Sequence, residues 1–61
     1  MQIVHQIEAG YAERVVENYY TARDGRRAWN ALVQAKRNAG EIAMESDQFI
    51  VLRNGERFAT K

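Results

Sequence analysis

The residues best suited to recognition chemistry form a polar run that contains no carboxylate: Arg26, Arg27, Asn30, Gln34, Arg37 and Asn38. At helical spacing they share the side of a helix opposite Leu32. Exposed helix faces ordinarily mix acids with bases, whereas this one carries only arginines and amides. An arginine fork meets phosphates and guanine edges in bidentate fashion, and an amide side chain matches adenine. Arg53 and Arg57, near the tip of an expected hairpin, would add phosphate contacts. Glu41 and Glu45 follow closely and would repel a phosphate backbone.

Nothing in the chain points to catalysis. A catalytic His5 would need a nucleophile and an orienting carboxylate. The hydroxyls of Thr21, Ser46 and Thr60 belong to no recognisable motif. Glycines 10, 25, 40 and 55 are isolated, so there is no phosphate-cradling loop. Their even spacing joins segments that do not resemble one another, and no repeat is inferred. Glu13 and Glu17 read as a solvated face. With no cysteine and one histidine, a thiolate or His-rich metal site is not expected, and disulfides are excluded. The expectation is no catalytic residue, no metal and no cofactor.

A chain of 61 residues makes one domain, read here as 1–61. At this size about 60 % of the unfolded surface is buried, and stability is marginal. Without disulfides or a metal, the remaining remedies are good packing or a partner chain, so a homodimer is one expectation. At 46 % hydrophobic and 28 % charged, the composition is that of a folded chain. The longest apolar run, Phe49–Leu52, is far short of a membrane span. The first residues lack a signal-peptide pattern, and a cytoplasmic protein without a membrane partner is expected.

Net charge is only +1, but it is unevenly placed. Residues 1–24 hold four acids against two arginines; residues 25–40 hold Arg26, Arg27, Lys36 and Arg37 and no acid. Residues 41–61 hold four acids against three bases.

The elements that would position these groups follow from periodicity. Residues 2–8 fit either a strand or a helix, and the strand is preferred because Gly10 weakens a helix through it. Residues 11–23 read as an amphipathic helix, with Tyr11, Ala12, Val15, Val16, Tyr19 and Ala22 on one side. Asp24-Gly25 would stop it and Asp24 would cap a second helix over 26–39, striped by Ala28, Leu32, Ala35 and Ala39. Residues 48–60 read as a hairpin about Asn54-Gly55, with Val51 opposite Phe58. Both faces of that hairpin are apolar, so the second needs cover from the N-terminal segment, from a strand over 41–45, or from another chain.

The expected fold is α+β: a two-helix hairpin packed against a C-terminal β-hairpin, which an N-terminal strand can complete into a small antiparallel sheet. Leu32, Trp29, Val15, Tyr19, Val51 and Phe58 should form the core. Trp29 and Tyr20, bordering apolar stripes, are either core edge or binding anchors. Two functions compete. One is a small non-enzymatic protein that docks on a larger protein or protein complex as an inhibitor or adaptor, phage-type inhibitors of host or defence enzymes being one example. The other is a DNA- or RNA-binding regulator of winged helix-turn-helix layout, with the hairpin as its wing. Either would use Arg26, Arg27, Asn30, Gln34 and Arg37, with Arg53 and Arg57 beside them.

Overall fold

The computed structural model describes residues 1–6 and 12–61. These form strands β1 (Gln2–Gln6) and β2 (Glu13–Asn18), helix α1 (Ala22–Asn38), and strands β3 (Ile42–Glu45), β4 (Phe49–Leu52) and β5 (Arg57–Thr60). The strands make one antiparallel sheet in the order β2-β1-β5-β4-β3, with α1 on one face. The expected pair of helices on a hairpin is therefore replaced by one helix on a five-stranded sheet. Ile7, Glu8, Gly10 and Tyr11, which entered the expectations for residues 2–8 and 11–23, lie outside the described residues.

The segment expected to be a first helix is strand β2. Val15 and Val16 are β-branched and pack well on a pleated surface. Val4 faces Val15 and Ile3 faces Glu17, so Val16 is the extra residue of a β-bulge. That bulge breaks the period-two alternation and leaves two adjacent valines that mimic a helical stripe. Val15 is 48 % exposed rather than buried in the core.

Helix α1 starts earlier than expected and runs through Asp24 and Gly25. Its cap is Thr21, in extended conformation, whose hydroxyl accepts the Asp24 N–H at 3.1 Å. Asp24 instead places its charge in the first turn, against the positive end of the helix dipole. Gly25 is where Met1 crosses: a Cβ there would lie 2.6 Å from the Met1 sulfur. The Tyr19 N–H donates to the Met1 carbonyl at 2.8 Å and the Met1 amino group to the Tyr19 carbonyl at 3.1 Å, and the two bonds hold that crossing. The other end closes at Gly40, whose φ is +70°. The Gly40 N–H donates to the Arg37 carbonyl and the Glu41 N–H to the Lys36 carbonyl, the paired bonds of a Schellman motif.

The C-terminal hairpin has the expected strands but a different register. Val51 faces Arg57 and Ile50 faces Phe58. Asn54 keeps a negative φ, and only Gly55, at +92°, enters the left-handed region. The Gly55 N–H donates to the Leu52 carbonyl at 3.0 Å and the Leu52 N–H to the Glu56 carbonyl at 2.8 Å. The loop is thus three residues long, a tight turn followed by a glycine bulge, not two. One extra residue exchanges the faces of β4 relative to β5. Ile50, Leu52 and Phe58 therefore point to the helix, while Val51 lies on the far face with Phe49, Arg57 and Ala59.

The core consists of Ile3, Trp29, Val33, Ile50 and Leu52, with Met1, Tyr19, Ala28, Leu32, Ile42 and Phe58 packed around it. Of the expected core, Trp29 is fully enclosed, while Leu32, Tyr19 and Phe58 are partly so. Strand β3, one of the options for covering the hairpin, extends the sheet at its edge instead of covering a face.

Candidate functional site: a groove beside the helix

Successive turns of α1 bring Arg26, Asn30, Gln34 and Arg37 along one wall of a groove of about 250 Å³. Trp29 and Val33 form its floor, and Glu45, Ser46 and Asp47, from the end of β3 and the turn after it, form the opposite wall. The turn is built by its own polar groups. The Ser46 N–H donates to the Phe49 carbonyl at 2.9 Å, and the Ser46 hydroxyl accepts the Gln48 N–H at 3.3 Å.

The arginines are held across this groove. Arg37 bonds the Glu45 carboxylate and also donates to the Gln34 side-chain oxygen at 3.1 Å. Gln34 in turn donates to the Asn38 side-chain oxygen at 2.9 Å. Arg26 reaches the Asp47 carbonyl at 3.4 Å, a weak bond that leaves most of its fork free. Asn30 makes no side-chain hydrogen bond among the described residues. Two arginines therefore face Glu45 and the Asp47 turn, with an uncommitted amide between them. Arg27 lies outside the groove on the exposed face of α1, one turn from Arg23, and neither has an ion-pair partner among the described residues.

Four of the seven residues singled out from sequence thus meet in one groove, and Arg27 stands nearby. Arg53 does not join them. It lies beyond the other end of α1, beside a smaller cavity shared with Gly40, Glu41, Leu52 and Asn54, and its N–H donates to the Glu41 carbonyl at 2.8 Å. Arg57 is on the far face of the sheet, its guanidinium 4.3 Å from the centre of the Phe49 ring. Alternation along β5 put it there: with Phe58 turned to the helix, Arg57 is turned away. Among the described residues there is one helix, so the helix-turn-helix layout that would have joined these arginines is not found there. Glu45 was legible as a nearby acid; Ser46 and Asp47, as part of the site, were not. Their signal was the turn chemistry of Ser-Asp before Phe49.

A second polar constellation surrounds His5. Its Nε2 lies 2.7 Å from Glu56 Oε2, and Glu56 is oriented by Asn54 at 3.1 Å. The ring stacks on Phe58 at 4.6 Å between centroids. The three hydroxyls have structural partners elsewhere: Thr21 caps α1, Ser46 fixes its turn, and Thr60 donates to the Gln48 carbonyl at 3.4 Å. The His5–Glu56 pair is therefore a tie between β1 and the β4–β5 turn. Among the described residues there is no group of three or more His, Cys, Asp or Glu side chains able to hold a metal, and no helix long and apolar enough to cross a membrane.

No protein-family model, no curated protein and no solved structure matches the chain.

Proposed function

We propose that this chain is a small, non-enzymatic binding protein that docks a polypeptide partner in the groove beside α1, acting as an inhibitor or adaptor on a larger protein in the cytoplasm. The alternation of charge across that groove carries the reading: Arg26 and Arg37 stand against Glu45 and the Asp47 turn. A polyanion needs an uncompensated positive field, because its affinity comes from phosphate neutralisation and counterion release. Here the carboxylates cancel that field. A polypeptide carries donors, acceptors and charges of both signs, which is what Asn30, Arg26 and the acidic wall complement. Tyr20, wholly exposed just before the helix, is the side-chain type that anchors protein interfaces. The absence of cysteine suits a reducing compartment.

Fluorescence-anisotropy titrations against mixed duplex and single-stranded oligonucleotides, at 50 and 200 mM salt, test this reading against its rival. No binding at micromolar protein is expected at either salt concentration. Micromolar binding that weakens steeply with salt would replace the protein partner with DNA or RNA and assign Arg23, Arg26 and Arg27 to phosphates.

A further inference from the structure

The face of the sheet turned away from α1 carries two rows of side chains set by register. One row runs Phe49–Ala59–Val4–Val15 and the other Met44–Val51–Arg57–Gln6–Glu13. Val4, at the middle of the first row, is already fully buried within the chain, so the open apolar surface of this face lies toward its β2 and β3 sides. Met44 and Val15 are 58 % and 48 % exposed. One-sided antiparallel sheets normally turn polar residues to water. Here the outer row is apolar from β2 to β4.

We propose that a second copy of this chain covers this face, sheet against sheet, with the two helices outside. Three observations support that occupant. The first is area. The molecule measures 30 × 27 × 15 Å. A 17-residue helix is about 25 Å long and five strands span about 19 Å, so the short axis runs through the two layers. The broad face then offers on the order of 800 Å², which is what each partner contributes to a standard-size interface.

The second observation is charge. Glu13 and Lys61 neutralise each other at 2.6 Å, crossing β1 on this face, and Gln6 donates to Glu13 at 2.9 Å. Arg57 remains as a single cation flattened on Phe49, and its Nε is buried without an acceptor among the described residues. Its own row holds one acceptor not already engaged, the Gln6 side-chain oxygen on the neighbouring strand. A copy turned about a two-fold axis offers that oxygen to the guanidinium, and an isologous pair makes the contact twice. The third observation is size. A chain this short, without disulfides, has an apolar face to spare and a stability that oligomerisation would raise.

Light scattering coupled to size exclusion, from micromolar to half-millimolar chain, tests the proposal without reference to any docked partner. The expected mass is twice the 7.0 kDa of one chain. Val15→Glu combined with Met44→Glu should weaken association at least tenfold while the circular dichroism spectrum is retained. Met44→Gln, milder and at a largely exposed position, should weaken it in the same direction if the double variant fails to fold. Arg27→Glu, on the helix side, should leave the mass unchanged. A single-chain mass at every concentration would overturn the proposal. So would a dimer that Val15→Glu/Met44→Glu leaves intact, which would place the contact at a strand edge.

Discussion

At the scale of single residues, burial separates side chains that look alike in sequence. Ile50 is wholly enclosed between α1 and the sheet, whereas Val15 stands half open on the far face. Ile50→Ala should cost about 2–5 kcal/mol, enough to unfold a marginal domain. Val15→Ala should change the stability of the monomer by no more than about 0.5 kcal/mol. Urea titration at a chain concentration low enough to keep the protein monomeric would measure both. Equal losses would return Val15 to a helical core. Leu32→Ala should fall near the lower end of the Ile50 range, because Leu32 packs at the margin of the cluster. Arg26, Asn30 and Tyr20 contribute little to folding, and their replacement should leave the melting temperature unchanged while removing partner binding. Chemistry-bearing types were the most legible feature of the chain: the helical spacing of Arg26, Asn30, Gln34 and Arg37 was enough to place them together.

At the scale of elements, the caps and turns make their own predictions. Thr21→Ala should cost about 1 kcal/mol by leaving the Asp24 N–H without its acceptor. Gly55→Ala forces a side chain into the left-handed region at φ +92° and should cost about 1–2 kcal/mol. Chemical denaturation of each variant checks both figures. The link between β2 and the C-terminus should respond to acid. Bonds from the Lys61 ammonium, and then from Gln6, hold the Glu13 carboxyl below its ordinary value of 4.5. A carboxyl depressed by folding stabilises the fold above its ordinary value, and that contribution disappears as pH falls through the depressed one. Glu13→Gln should therefore lose stability at neutral pH relative to the parent and converge with it in acid. The hairpin, the C-terminal cap and most of α1 were readable because glycine, asparagine and helical stripes act locally. Strand β2 was not, because the bulge at Val16 hides its alternation and its support comes from pairing with β1, which its own residue pattern does not reveal. The start of α1 was misread for a similar reason. Gly25 serves a tertiary contact with Met1, and nothing near it in sequence reveals that. The hairpin register turned on one residue, the negative φ of Asn54, and that single step carried Val51 from the expected core to the far face.

At the scale of the whole molecule, the two faces divide the work. The helix side gathers polar and charged groups in a groove, while the sheet side presents one apolar and one mixed row on which two copies would meet. Such a pair would hold its grooves outward on opposite sides, and a multivalent target would be bound with higher avidity than a single groove provides. A monomerising Val15→Glu/Met44→Glu variant should then lose binding to a multivalent target but keep its affinity for an isolated single site. The most direct test of the docking groove itself is site-specific photocrosslinking. A benzophenone side chain replaces Asn30, the uncommitted amide between the two charged walls, and the protein is irradiated in an extract of its native cells. The expected result is a discrete protein adduct that Arg26→Glu abolishes and nuclease treatment leaves untouched. An adduct that nuclease removes, or one that Arg26→Glu leaves unchanged, would contradict the assignment of the groove to a protein partner.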